Sequence, residues 1–458
     1  MSYNLKYLKY KQKYLNLKYY LEQNGGIPSL IQLAAEQIQL DSIDNIIEYI
    51  EDTKIKGNII EQPIRDIIKY KNLSFRNIDQ VKYFIDNKID IITLRFDNNF
   101  NQPIELISNL IYLQTLEFGN KFDQKLDPLA NLTNLTTLEF GYKFGDAFNQ
   151  NIYSLANLTN LTTLVFGNKF DINIDSLAKL TKLTTLKFGN EFNRPIESLA
   201  NLTKLQTLEF GRNFGNSRGY SSNKNIITSF IWSLAPLAEL INLQTLKFGD
   251  YFNQSIEPLA KLINLTTLEF GDYFNQVLDP LENLTKLSTL KLGNKKHQQF
   301  NQKLDPLTKM INLTTLEFGY FFDQSIEPLA KLINLTTLIF GKKFNQNLDP
   351  LSNLTNLTIL RLGDEFNLSL EPLSNLTKLE ILKFGKNFNQ NLEPLSNLTN
   401  LEILKFGKNF NQSLKPLSNL TNLTTLILGY KFNLSLEPIL DLPKLKTLKY
   451  NIHNVTNK

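Results

Sequence analysis

From about Ile91 to Tyr450 one arrangement of apolar and polar residues keeps returning. A full unit reads Leu132-Thr-Asn-Leu135-Thr-Thr-Leu138-Glu139-Phe140-Gly141, then a turn, then Phe-Asn-Gln-x-Leu/Ile, then an acid-Pro-Leu triplet. Leu138, Glu139 and Phe140 alternate inward, outward and inward, which predicts a half-buried strand. Glycines from Gly119 to Gly429 mark the units. Most gaps are 22 residues, two are 26 and one is 38, so three units carry insertions of 4, 4 and 16. Counting back to Asp97 and forward to Asn451 gives a register of 16 units. A fixed period of this size predicts a solenoid, in which each unit buries its apolar face against its neighbours and the strands pair in parallel. The acid-Pro-Leu triplet predicts a short helical turn on the opposite, convex side. Proline suits a first helical position, and acids such as Asp127, Glu257 and Asp349 suit the positive end.

Two phenylalanine columns supply the expected core. One runs from Phe96 to Phe406. The other holds Phe100, Phe122, Phe148, Phe170, Phe192, Phe252, Phe274, Phe300, Phe344, Phe388, Phe410 and Phe432. Asn or Asp follows each member of the second column. A column of short polar side chains can satisfy backbone groups that the turn leaves unpaired.

The flanks have a different texture. Residues 1–26 are basic and rich in Lys and Tyr, with apolar residues at helical intervals and Gly25-Gly26 as a stop. Residues 27–90 carry apolar residues three and four apart and predict an all-α N-terminal cap over the first unit. Residues 451–458 form a tail. The insertions fall near 144–147, 214–231 and 295–298, along one expected edge of the solenoid. The longest contains Arg218 and Tyr220 and leads into Trp232, the single tryptophan.

Composition narrows the chemistry. There is no cysteine and only two histidines, His297 and His453, so thiolate zinc sites, cysteine nucleophiles and the usual histidine triads lack their residues. No phosphate-binding glycine loop occurs. No catalytic, cofactor-binding or metal-ligating residue is assigned, and none of these ligands is expected. A net charge of +5 over 458 residues gives no reason to expect nucleic acid. No apolar run of membrane-spanning length and no secretory signal are seen, so a cytoplasmic, unsecreted protein is expected. The recurring Asn-Leu-Thr triplets match the glycosylation acceptor pattern but arise from the repeat itself.

The "LANLTNLTTL" and "PLSNLTNL" stretches resemble leucine-rich repeats of the internalin type. The segments Phe100-Asn-Gln-Pro-Ile104 and Phe192-Asn-Arg-Pro-Ile196 resemble the FNIP repeat. One departure stands out. The position five residues past the strand leucine holds Lys169, Glu191 or Tyr251 instead of the family's Asn, and Asn or Asp comes two residues later. The opening Lys-Tyr-Leu segment resembles the start of many proteins of mimivirus-type giant viruses. These resemblances imply a monomeric, non-enzymatic scaffold for protein–protein interaction in a host cytoplasm or virion. The alternative is a substrate-recognition subunit of a ubiquitin ligase. Ser29-Leu30-x-x-x-Ala34-x-x-x-Ile38 resembles an elongin-binding box with Ala34 in the cysteine position.

The residue between each buried strand Leu and Phe should face outward, on the concave side. From Arg95 to Glu317 this column mixes signs. Beyond Glu317 it holds Ile339, Arg361, Lys383, Lys405, Ile427 and Lys449, with no acid. Lys386 and Lys408 follow closely after Lys383 and Lys405. Arg361, Lys383, Lys386, Lys405 and Lys408 are therefore the candidate contacts for an acidic protein partner. Arg218, Tyr220 and Trp232 are the candidates on the long insertion.

Overall fold

The computed structural model describes residues 42–47, 73–141, 147–216, 232–293 and 299–450. Residues 1–41, most of 27–90, the cores of the three insertions and the 451–458 tail lie outside the described residues. So do the box at Ser29–Ile38, Arg218, Tyr220 and both histidines. The chain divides into two compact units, Met1–Arg194 and Pro195–Lys458.

The first unit holds β1 (Thr93–Arg95), β2 (Thr115–Phe118), β3 (Thr137–Phe140), β4 (Thr163–Val165) and β5 (Thr185–Lys187). The second begins with β6 (Thr207–Glu209), β7 (Thr245–Lys247), β8 (Thr267–Phe270), β9 (Thr289–Leu292), β10 (Thr315–Phe318) and β11 (Thr337–Ile339). It continues through β12 (Ile359–Arg361), β13 (Ile381–Lys383), β14 (Ile403–Lys405), β15 (Thr425–Ile427) and β16 (Thr447–Lys449). Within each unit consecutive strands pair in parallel and in repeat register, as Leu116 with Leu138 and Leu382 with Leu404.

The turns opposite the strands are 3-10 rather than α, for example Asp127–Asn131 and Glu257–Lys261. The leucines explain why. Leu126, Leu129, Leu132, Leu135 and Leu138 sit three apart, and all are buried. A helix with three residues per turn puts such positions on one face, and an α-helix would rotate them off it. Leu129, Leu132 and Leu135 each donate an N–H to the leucine carbonyl three residues back, at 2.9, 2.9 and 3.0 Å.

Both phenylalanine columns are buried and stacked. Ring centroids lie 3.7 Å apart within one repeat, as Phe118 with Phe122, and 5.4 Å apart between repeats, as Phe118 with Phe140. Phe322 and Phe366 also belong to the second column. Phe214 does too. The expected long insertion counts it from Phe214, yet that ring is fully buried and lies 3.8 Å from Phe210, so the chain leaves the repeat only after it. Among the described residues the glycines with positive φ are Gly141, Gly215 and Gly293, at 42°, 75° and 97°. Each directly precedes one of the three insertions, where the chain must turn out of the stack.

Beside the rings runs the polar ladder. The side-chain oxygen of Asn101 accepts from the backbone N–H of Asp123 at 2.9 Å, and Asp123 accepts in turn from Asn149 at 3.1 Å. In the second unit the same bond links Asn345, Asn367, Asn389, Asn411 and Asn433 in succession. Only an oxygen is needed, so Asn and Asp interchange. This ladder stands where the internalin-type Asn is displaced by two residues.

At the N-terminal end α1 (Ile78–Asp86) is capped by Asn77, whose side chain accepts from the Gln80 N–H. Residues 43–47 are also helical. The described part of the cap is not all helix. Phe75 is extended and bridges β1, donating to Arg95 at 2.7 Å and accepting from Asp97 at 3.0 Å. An edge strand needs backbone partners that a helix face cannot supply.

Candidate functional site: the outward strand column

Successive strands bring one outward side chain each into a row. In the second unit the row opens with Glu209, Lys247, Glu269, Lys291 and Glu317. Lys247 lies 3.9 Å from Glu209 and 3.5 Å from Glu269; Lys291 lies 3.9 Å from Glu269 and 3.5 Å from Glu317. Each lysine thus stands between two carboxylates, so both cations of this stretch are compensated within the row. Ile339 ends the alternation.

Arg361, Lys383 and Lys405 then stand side by side on β12, β13 and β14 in direct register. Among the described residues no carboxylate comes within ion-pair distance of any of the three. Arg361 and Lys405 are exposed. Burial, and then the charges of Arg361 and Lys405, push the Lys383 ammonium below the ordinary lysine range. The exposed acids Glu380 and Glu402 directly precede β13 and β14 without pairing to these cations.

The other candidates divide. Lys386 is exposed, and its backbone N–H donates to Asp364 at 3.2 Å. Lys408 is exposed, its ammonium 5.9 Å from the Tyr430 ring centre. Trp232 is half-buried at the return of the long insertion, away from this row in sequence. Sequence reasoning missed a second row. Ile359, Ile381 and Ile403 lie two residues before the three cations and share their outward face, where every other strand has Thr.

In the first unit Arg95 pairs with Glu117 at 2.7 Å. Glu117 is in register with Glu139, and Glu139 with Val165. Val165 was expected to be exposed but is only 4% accessible; its short side chain lies between the longer Glu139 and Lys187. Burial, and secondarily the Glu117 charge, raise the Glu139 carboxyl above its usual 4.5, against the opposing pull of Lys187 and Arg95. The folded state therefore holds this proton more tightly than the unfolded state does. Ionised Glu139 destabilises the fold at neutral pH, and the penalty fades as pH falls through the raised value. Glu139→Gln should raise the melting temperature by about 1–2 °C at neutral pH and leave it unchanged below the carboxylate range. Thermal melts across pH check both halves.

No protein-family model and no curated protein matches the chain. Solved structures do. A leucine-rich-repeat protein of Leptospira interrogans aligns at a TM-score of 0.63 with 18% identity, over 83% of this chain and 91% of that one. An internalin of Listeria monocytogenes aligns at 0.52 with 26% identity, over 72% and 84%. A chain of a Drosophila Toll–Spatzle complex aligns at 0.56 with 15% identity, over 85% and 56%. The fold is a leucine-rich-repeat solenoid, an architecture that supports protein interaction in general. Among the described residues no helix is long and apolar enough to cross a membrane, and no group of three or more acidic or histidine side chains is placed to hold a metal ion.

Proposed function

We propose that the chain is a non-enzymatic scaffold that docks an acidic protein partner on the outward face of β12–β14. One observation carries this reading: Arg361, Lys383 and Lys405 are in register with no carboxylate among the described residues paired to them, whereas Lys247 and Lys291 of the same unit each stand between two acids. Like charges on adjacent strands are unfavourable alone. An acidic partner would relieve that repulsion and the depressed Lys383 ammonium together. Lys386 and Lys408 would extend the contact. The FNIP-like repeats and the Lys-Tyr-Leu opening support a host-cytoplasmic or virion setting for a monomer, with residues 27–90 closing the N-terminal end.

Lys383→Glu with Lys405→Glu should keep the fold, because both side chains point away from the core and the outward row already holds two adjacent acids where Glu117 is in register with Glu139. The pair should weaken capture of the partner by at least about tenfold, and raised salt should weaken the wild-type complex in the same way. A pull-down from host-cell lysate with both proteins reads this out. Capture that survives the double reversal moves the site, with Arg218, Tyr220 and Trp232 next in order. Elongin or cullin among the captured proteins would favour the ubiquitin-ligase alternative.

A further inference from the structure

We infer that the partner presents an amphipathic α-helix, acidic along one flank and aliphatic beside it, lying across β12, β13 and β14. The inference rests on the docking face proposed above and specifies what occupies it.

Two columns change together in the same three repeats. The outward row nearer the strand ends becomes Arg361, Lys383 and Lys405. The row two residues earlier becomes Ile359, Ile381 and Ile403, while the adjacent β11 and β15 keep Thr337 and Thr425. Side chains alternate along a strand, so these isoleucines share the cations' face and the buried Leu360, Leu382 and Leu404 point the other way. The isoleucines pair in register and are half-buried, side by side. Folding does not demand them, because Thr fills the equivalent position in every other strand. The surface is thus a row of three cations beside a stripe of three aliphatic side chains. Ile339 and Ile427 close the two ends of the cation row.

Spacing chooses the occupant. Neighbouring strands lie about 4.8 Å apart, so three of them span about 9.6 Å. Side chains on one face of a helix recur about every 5.4 Å along the axis, and two turns cover about 10.8 Å. Flexible Arg and Lys stems absorb a difference of about 1 Å. An extended peptide laid across the strands repeats its face about every 6.8 Å, and the same three contacts would overshoot by about 4 Å. A peptide running along one strand would meet one cation and one isoleucine. Single-stranded nucleic acid would use the cations but stack its bases on aromatic rings, and the second row is aliphatic.

The test uses the full chain and a fluorescein-labelled peptide of about 20 residues, with Glu at i, i+4, i+7 and i+11 and Leu at the position following each. Binding is read by fluorescence anisotropy at low salt. The peptide should bind. Ile381→Thr with Ile403→Thr, which restores the residue of the neighbouring strands, should weaken it by about tenfold or more, as should Lys383→Glu with Lys405→Glu. A peptide of equal charge broken by central prolines should bind about tenfold more weakly. Equal binding of the intact and proline-broken peptides overturns the helix and leaves the docking face standing. Loss on charge reversal alone, with the isoleucine pair silent, likewise reduces the site to a charge patch. Tighter binding of an oligothymidine, insensitive to the isoleucine pair, replaces the protein partner with nucleic acid. If none of the probes binds, the docking face itself is wrong.

Discussion

Phe344→Ala should destabilise the second unit by about 3–5 kcal/mol. The ring is fully buried, 3.7 Å from Phe340 within its repeat and 6.2 and 6.3 Å from Phe322 and Phe366 in the repeats beside it. Its loss leaves a void that leucines on a rigid ladder cannot fill by collapsing. Each repeat touches only its neighbours, so the damage should stay local. Hydrogen exchange should accelerate in β10, β11 and β12 and hold in β6 and β7. The first column gives an internal comparison. It already carries Leu292, Leu362 and Leu428, all buried, whereas the second column is Phe in every described repeat. Phe340→Leu should therefore cost less than Phe344→Leu. Denaturant melts of the three variants decide, and equal stability of Phe344→Ala and wild type would remove the ring stack as the source of cohesion.

Gly341→Ala should be at least as damaging, about 4 kcal/mol or more, although it adds a single methyl group. A Cβ there would stand 1.7 Å from the Gly319 carbonyl oxygen and 2.4 Å from its carbon. Both atoms are backbone, and that oxygen already accepts from Phe322 at 3.3 Å. No rotamer relieves the clash, so adjacent repeats must part. The same approach recurs at Gly363, 1.8 Å from the Gly341 oxygen. The glycine is kept by a steric limit of the stack, and the variant should melt early or fail to fold. A wild-type melting curve for Gly341→Ala would mean that the repeats are spaced more widely than these contacts allow.

Much of this architecture is legible in the sequence because the repeat reports it many times over. Alternation at Leu138, Glu139 and Phe140 gives the strand, and the column of Asn and Asp gives the ladder. What escapes is set by relations between repeats. Phe322 and Phe366 keep the 22-residue register of the second column; Phe214, followed by Gly215 where the long insertion opens, shows itself a member of the ring column only once stacked. Val165 reads as outward by alternation, but its accessibility depends on the longer side chains on either side. Ile359, Ile381 and Ile403 read as ordinary strand residues. They become a surface stripe only when register sets them beside Arg361, Lys383 and Lys405. In sequence the cap reads as purely helical, because periodicity records apolar faces and says nothing of the edge strand's need for a partner such as Phe75.

The Asn ladder also bears on how such a surface could change size. Lys383–Leu404 and Lys405–Leu426 differ at only a few positions, among them Glu393 against Lys415 and Ile403 against Thr425. Every rung joins equivalent residues of adjacent repeats, as Asn389 to Asn411. Excising Lys383–Leu404 as a block would let Asn367 meet Asn411 and leave every other bond unchanged in kind. The cationic row would shorten by one strand, about 4.8 Å. Recombination between near-identical gene segments could thus lengthen or shorten the row in fixed steps, so that copy number becomes a means of matching the reach of the surface to its partner.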